Sequence, residues 1–207
     1  MSSVSLWVST FGVIFAIIDP FGYVPIFISM TSGDSTEKRN WALRRACLTA
    51  GTVLILFTLL GNFVLSFFGI SVPALQISGG LILLIIGFDM VRILPINAKI
   101  SADEESEATR KEDISIIPLA IPMLSGPASM ATVVVLGSNA QDTLDYAVII
   151  SSIVITLGIT YVVLRSANKI LKAIGLTGLH IVTRIMGLLL CAIAVQLIIN
   201  GYQAIRS

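Results

Sequence analysis

The stretch Asp19-Pro20-Phe21-Gly22-Tyr23-Val24-Pro25 interrupts a long apolar segment near the start of the chain. A second stretch, Pro118-Leu119-Ala120-Ile121-Pro122-Met123-Leu124-Ser125-Gly126-Pro127, interrupts another apolar segment in the second half. Each contains two prolines with four residues between them, Pro20 and Pro25 in the first and Pro122 and Pro127 in the second. Proline donates no backbone N–H and displaces the carbonyl four residues earlier, so we expect a broken helix at both places.

The composition around these two stretches is that of a membrane protein. Of 207 residues, 56% are hydrophobic and 12% are charged, and the mean hydropathy is +0.96. Soluble domains carry about 25% charged residues. A membrane-spanning helix needs about 20 apolar residues, and six stretches meet this requirement: 4–30, 46–68, 72–91, 114–136, 146–164 and 181–203. We therefore predict an all-α integral membrane protein with six transmembrane helices, the first and fourth of them broken.

The basic residues predict the orientation of these spans. If the N-terminus lies outside, the connections after the first, third and fifth spans, with their flanks, hold every Lys and Arg except Arg206. Cytoplasmic loops carry an excess of Lys and Arg. We therefore expect both termini outside the cell, in the periplasm if the host is a Gram-negative bacterium.

A polar, charge-mixed linker at 94–113 divides the chain into a first half, 1–93, and a second half, 114–207, with three spans each. Because three is odd, the second half enters the membrane with the opposite orientation, which is the inverted-repeat arrangement of many transporters. Aligning Gly79 in the third span with Gly187 in the sixth sets Gln76 opposite Arg184. We predict two inverted three-helix repeats.

Asp19 is the only carboxylate near the middle of a span. An ionised side chain there costs about 2.5–3.5 kcal/mol on insertion scales and faces a cavity or a partner. Three roles are open for it: a cap of a helix that starts at Pro20, a contact to a substrate ammonium or a cation, and a proton carrier. In the second stretch, a helix that restarts after Ser125 and Gly126 would present N–H groups suited to a carboxylate; a simple proline-kinked helix is the alternative.

Other polar residues join these two stretches as candidates. Asn62 belongs to the stripe Thr58, Asn62 and Ser66, and Thr156 belongs to Ser152, Thr156 and Thr160; each stripe lies on one helix face and favours either helix contact or a pore lining. Arg184 either snorkels to the interface or gates the path together with Gln76. The candidate substrate-binding residues are Asp19, Pro20, Gly22, Pro25, Asn62, Pro122, Ser125, Gly126, Pro127 and Thr156, with Gln76 and Arg184 as the candidate gate.

The sequence offers little for catalysis. The single histidine, His180, excludes the His-Glu-x-x-His motif of zinc proteases. Asp19 and Asp89 lie at different depths in their spans, so they do not form an aspartyl dyad. We predict no catalytic residue, no cofactor, no metal site and no nucleic-acid partner. Three functions stay open: a carrier, a passive small-solute channel, and a non-transporting scaffold or sensor.

Three motifs carry a resemblance to a known family. Asp-Pro-Phe-Gly-x-x-Pro at 19–25, Pro-Leu-Ala-Ile-Pro-x-x-Ser-Gly-Pro at 118–127 and Arg-Ile-Met-Gly at 184–187 closely resemble the MarC family of bacterial and archaeal inner-membrane proteins, over essentially the whole chain. Members of that family are described as neutral amino acid transporters. The resemblance implies six spans in the cytoplasmic membrane and small neutral amino acids, such as glycine or alanine, as substrates.

This chain departs from the family pattern at one position, and the family varies at another. Many relatives have Gly-Pro-Gly where this chain has Gly126-Pro127-Ala128, and the family accepts Asn in place of Asp19. We expect a secondary transporter that works by alternating access around a midplane site at the two proline-containing breaks. Whether H⁺ or Na⁺ drives it, and its oligomeric state, stay open.

Overall fold

A computed structural model describes residues 3–91 and 124–206 of the chain. This part folds into α-helices and contains no strand, as predicted. The helices in chain order are α1 (Ser3–Ile18), α2 (Tyr23–Met30), α3 (Thr36–Phe67), α4 (Val72–Val91), α5 (Pro127–Ser138), α6 (Thr143–Arg165) and α7 (Ala167–Arg206).

Four of these helices, α3, α4, α6 and α7, are long and apolar enough to cross a membrane. The first predicted span is present as a bent pair, in which α1 and α2 meet at 43°. Counting that pair as one span gives up to five candidate spans in the described residues. Most of their large apolar side chains point outward, for example Phe63 at 72% exposure, as lipid-facing residues do.

The fourth predicted span, 114–136, lies partly outside the described residues. Its described part contains α5, which has 12 residues and is therefore about 18 Å long. A hydrocarbon core of about 30 Å is too thick for this helix alone. The six-span inverted repeat therefore stays a prediction.

Two helices continue beyond the apolar stretches that predicted them. The second span was expected at 46–68, but α3 begins at Thr36, where the Ser35 side chain accepts a hydrogen bond from the Lys38 N–H at 3.2 Å. The sixth was expected at 181–203, but α7 begins at Ala167 and has 40 residues. A kink at Gly175, with a φ of 67°, divides α7. Hydropathy finds the membrane-embedded part of a helix, whereas capping determines where the helix begins.

The antiparallel pair α4 and α7 packs backbone to backbone. A Cβ placed on Gly80 would lie 2.8 Å from the Ala194 carbonyl oxygen, and one placed on Gly87 would lie 3.1 Å from the Gly187 carbonyl oxygen. Small residues let two membrane helices approach this closely. We call these four residues, Gly80, Gly87, Gly187 and Ala194, the glycine seam; it joins the first predicted half of the chain to the second.

The short helix α5 packs against α1, α3 and α4. On its α4 side, a Cβ on Gly79 would lie 3.2 Å from the Ala131 Cβ. On its α3 side, a Cβ on Gly137 would lie 2.5 Å from the Thr58 carbonyl oxygen. A buried cluster of Ala16, Leu83, Ala128, Leu190 and Ala194 brings α1, α4, α5 and α7 together. The start of α5 is therefore held against the end of α1.

Candidate functional site

The break between α1 and α2 is centred on Asp19. Its backbone has a φ of 38°, in the left-handed region, and it is the one residue other than glycine in the described ranges with positive φ. The side chain is 6% exposed and accepts a hydrogen bond from the Gly22 N–H. Its other oxygen, Oδ1, is buried without a hydrogen-bond partner in the described part of the chain. Asp and Asn visit this backbone region more readily than other residues with side chains.

Asp19 makes the type of hydrogen bond that a helix cap makes, because its carboxylate accepts from the N–H three residues on, that of Gly22. The helix α2 begins at Tyr23, and its N-cap is Gly22. Residues 20–22 form a turn between that bond and α2, so the cap role of Asp19 stays open beside the substrate contact and the proton carrier. Pro25 lies in the first turn of α2, where proline is tolerated because its missing N–H has no helical acceptor.

The second break precedes α5. Gly126 is the N-cap, with extended backbone angles, and Pro127 is the first helical residue, a favoured position for proline. Ser125 is completely buried. A glycine cap brings no side chain to the first N–H groups of α5. Pro122, a predicted site residue, lies outside the described residues.

A small cavity with an apolar lining lies between the end of α1 and the first half of α5. It holds about 10 Å³, which is room for roughly one water molecule, and its lining comes from α1, α3 and α5: Ile14, Ile17, Ile18, Leu54, Ser129, Thr132 and Val133. Ile18 immediately precedes Asp19, and Ser129 follows Pro127 by two residues. The structure therefore brings the end of α1 and the start of α5 close together.

Two residues of this cavity were missed by sequence reasoning. Ser129 and Thr132 are both buried, and the Oγ1 of Thr132 has no hydrogen-bond partner among the described residues. Their spacing of three places them on one face of α5. The sequence could have pointed to these residues through two hydroxyl side chains, three positions apart, shortly after Pro127.

Most hydroxyls of the two predicted stripes bond to their own helices. Thr58 donates to the Leu54 carbonyl at 2.8 Å, Ser152 to Val148 at 2.7 Å and Thr160 to Thr156 at 2.8 Å. Thr156 is completely buried and its Oγ1 has no partner in the described ranges. The backbone of Asn62 lies in α3, and its side chain is not among those described. Neither Asn62 nor Thr156 is among the residues that line the cavity.

The structure does not bring the two candidate gate residues together. A Cβ on Gly201, near the end of α7, would lie 3.1 Å from the Gln76 Cβ. Arg184 precedes Gly201 by four to five turns of α7, which is about 25 Å along the helix. Gln76 is 7% exposed, and its Oε1 has no partner among the described residues.

The described residues contain no group of three or more His, Cys, Asp or Glu side chains that could hold a metal ion. The oxygen atoms at the two breaks instead come from one carboxylate, from hydroxyls and from the backbone. Such groups bind small polar solutes and monovalent ions at broken membrane helices.

The sequence comparison agrees with a membrane protein. The family model described as "MarC family integral membrane protein" matches residues 4–205. The chain belongs to the MarC family. The resemblance read from the three motifs is thereby confirmed.

Relatives of this MarC-family chain occur in archaea and bacteria. It is 42% identical to a UPF0056 membrane protein of Methanocaldococcus jannaschii over 95% of this chain and 96% of the relative. It is 31% identical to the UPF0056 membrane protein YhcE of Escherichia coli, over 93% and 89% of the two chains. The UPF0056 membrane protein YvbG of Bacillus subtilis is 30% identical over 96% and 95%. No solved structure matches the chain.

Proposed function

We propose that the protein is a secondary transporter of small neutral amino acids. In this proposal the substrate binds near the bilayer midplane between the end of α1 and the start of α5, and one predicted half of the chain rocks against the other. The packing of the end of α1 against the start of α5 carries the proposal, since Ala16 and Ala128 belong to one buried cluster, and irregular backbone at membrane depth is tolerated only inside protein or beside a water-filled cavity.

The two breaks present charges of opposite sign, which match the ammonium and the carboxylate of a zwitterion. At the end of α1, Asp19 and the carbonyls of the last turn, at the negative end of the helix dipole, favour an ammonium group. The carbonyl of Ala16 has no helical partner because the residue four positions later is Pro20. At the start of α5, the N–H groups after Gly126 and Pro127 favour a carboxylate. A small amino acid presents both groups at once.

Equal sequence separations support the inverted repeat on which alternating access depends. The same number of residues separates Gly80 from Gly187, Gly87 from Ala194 and Pro20 from Pro127. If each residue is replaced by its equivalent in the other half, the contact between Gly80 and Ala194 becomes a contact between Gly187 and Gly87. The structure contains both contacts. A two-fold axis in the membrane plane produces such reciprocal contacts. This alignment replaces Gly79 by Gly80 as the equivalent of Gly187.

The proposal includes the setting of the transporter. We place it in the cytoplasmic membrane of a bacterium or archaeon, with both termini outside, because every Lys and Arg but Arg206 then lies on the cytoplasmic side or flanks it. No catalytic role is proposed, since the sequence has one histidine and one carboxylate deep in a span.

Counterflow in proteoliposomes tests the function. Vesicles are preloaded with unlabelled glycine, alanine, serine or threonine, and a labelled amino acid is added outside. A carrier accumulates label transiently, saturably and selectively. A passive channel gives no counterflow, and a scaffold gives no flux above that of protein-free vesicles. Failure with folded protein across all four amino acids would overturn the proposal.

A further inference from the structure

We propose that the outward face of α7 packs against the same face of a second copy of this chain, so that the protein forms a homodimer in the membrane. The feature that points to this contact is a stripe of three amide side chains on the last membrane helix, Gln196, Asn200 and Gln203. The inference goes beyond the proposed function and does not depend on it, because the argument uses only the position and the chemistry of α7.

The three amides lie on the side of α7 that faces away from the rest of the described protein. All three residues are exposed. The buried residues of the same stretch include Gly187, Leu190, Ala194 and Gly201. Since a helix turns roughly 100° per residue, Gln196 lies roughly 160° around α7 from Ala194, which packs against Gly80. The glycine seam and the amides therefore occupy opposite sides of one helix.

Gln196 lies inside the hydrocarbon core rather than at its edge. Gly80 of α4 packs against both Ala194 and Ile198, and Gln196 lies between those two residues in α7. Along α4, Gly80 is about 12 Å from the first residue, Val72, in a helix of about 30 Å. That length matches the hydrocarbon thickness. Lipid chains offer an amide no hydrogen-bond partner at this depth, so the exposed Gln196 side chain predicts a protein partner.

The amides are only partly satisfied within their own helix. The Gln196 Nε2 donates to the Asn200 Oδ1 at 2.8 Å. Each amide has two N–H donors and an oxygen that accepts two hydrogen bonds, so one bond between them leaves most of this capacity for a neighbour. An exposed hydroxyl on a membrane helix differs in this respect. Thr52 of α3, for example, uses its single donor on the Leu48 carbonyl at 2.9 Å.

A second copy of α7 complements this face. Every copy of the chain crosses the membrane in the same direction, so two copies related by a two-fold axis along the membrane normal present their α7 helices in parallel. Identical residues then meet at the same depth, Gln196 with Gln196 and Asn200 with Asn200. An amide both donates and accepts hydrogen bonds, so it can bind its own kind. A charged side chain at these positions would instead repel its copy.

The spacing of the outward residues fits a close pair of parallel helices. Leu189, Ala192, Gln196, Ile199 and Gln203 follow one another at alternating intervals of three and four residues. We call these five residues the amide seam. Such intervals form the contact line of left-handed helix pairs, which are the usual pairs in membrane bundles. Leu189 and Ile199 are 48% and 42% exposed, and the small side chain of Ala192, also exposed, lets two helices approach closely.

Energy transfer between labelled copies of the full chain in proteoliposomes tests the dimer. Donor and acceptor dyes are placed at Lys169→Cys, in a background with Cys47→Ala and Cys191→Ala, and the protein is diluted with lipid. We expect the parent to dimerise and Gln196→Leu to raise the dissociation constant of the dimer by about tenfold, the loss of an interhelical amide contact. Thr52→Val, which removes an exposed polar group that bonds within α3, should leave that constant unchanged.

Cross-linking in native membranes tests which face makes the contact. In the same background, but without the labelling site, Ala192→Cys on the amide seam should form a disulfide between two copies when an oxidant is added. Val154→Cys is the matched control, because Val154 is 55% exposed on α6 and is not part of the seam. It should stay monomeric under the same conditions.

Each outcome of these two experiments decides the proposal. Gln196→Leu places an apolar side chain in lipid and should fold, which its unfolding temperature in detergent checks. A parent without energy transfer at any lipid dilution would overturn the proposal, as would a Gln196→Leu variant that dimerises like the parent. Cross-linking through Val154→Cys alone, or of Ala192→Cys to a protein of another mass, would also overturn it. Neither experiment involves transport, so a failure of the proposed function would leave this result unchanged.

Discussion

At Gly22, a side chain would occupy the space that the Asp19 carboxylate fills: a Cβ built there collides with Oδ2 of Asp19. Since the carboxylate is held by the Gly22 N–H, it has no room to retreat without losing that bond. We expect Gly22→Ala to destabilise the protein by about 1–3 kcal/mol and to lower transport, measured by thermal unfolding and by counterflow.

Gly12 provides the matched control for this substitution. It lies in α1, and a Cβ there would meet nothing within 4 Å. Gly12→Ala should be neutral or stabilising by up to about 1 kcal/mol, because alanine is the better helix former. Equal unfolding temperatures for the two variants would contradict the tight contact at Gly22.

The backbone of Asp19 makes a second prediction at the residue scale. With a φ of 38°, this position tolerates Asn but penalises most side chains by about 1–2 kcal/mol. We expect Asp19→Asn to keep the fold while lowering transport, and Asp19→Ala to lose at least that much stability as well. If Asp19→Ala unfolds at the same temperature as Asp19→Asn, the left-handed turn contributes nothing.

Sequence reasoning identified the site only where residues were unusual for their surroundings. Asp19 is a carboxylate in an apolar span, and Gly126-Pro127 interrupts another, so both were found. Thr132 was missed because a threonine in an apolar helix commonly bonds to its own backbone. Only its lack of such a partner distinguishes it, and that property depends on how α1 and α5 pack.

Among the helices, α4 and α7 depend most on small residues. We expect Gly87→Ala to destabilise the protein by about 1–3 kcal/mol, since its Cβ would lie 2.5 Å from the Cys191 Sγ and 3.1 Å from the Gly187 carbonyl oxygen. Thermal unfolding in detergent measures the loss. Gly158→Ala is the control, because a Cβ at Gly158 in α6 meets nothing within 4 Å; a similar loss there would show that the effect is not one of packing.

The helices themselves were predictable to different degrees. The third span was predicted at 72–91, and α4 occupies those residues, because its apolar part and its helix coincide. The second and sixth were predicted too short, since polar sequence continues α3 and α7 beyond the apolar part. The contacts between α4 and α7, Gly80 with Ala194 and Gly87 with Gly187, were not predicted, because hydropathy does not show which glycines face a neighbouring helix.

Over the whole molecule, contacts between helices show which helix ends lie at the same end of the molecule. The Pro73 carbonyl would lie 2.8 Å from a Cβ on Gly201, so the start of α4 and the end of α7 share one end. Leu54 contacts the cavity beside Ser129, while Thr58, farther along α3, contacts Gly137, farther along α5. A Cβ on Gly61 would in turn lie 2.7 Å from a methyl carbon of Val134, so α3 and α5 are in close contact over this stretch.

Cysteine labelling tests the orientation of the whole molecule. In a variant with Cys47→Ala and Cys191→Ala, a Gln141→Cys change in the exposed α5–α6 connection should react with a membrane-impermeant maleimide on intact cells. Lys169→Cys, exposed near the start of α7, should react only after permeabilisation. Both sites lie outside the buried core. The reverse pattern would place the termini in the cytoplasm and contradict the orientation inferred from the basic residues.

The glycine seam joins the two predicted halves through residues of α4 and α7 alone. A contact between backbones has little side-chain conformational freedom to lose when it forms, so it does not depend on a covalent tether. Residues 1–93 and 114–207, produced as two separate polypeptides in one cell, should therefore find each other in the membrane and copurify. Gly87→Leu in the first polypeptide should prevent this reassembly, which would mark the molecule as a complex of two subunits encoded in a single chain.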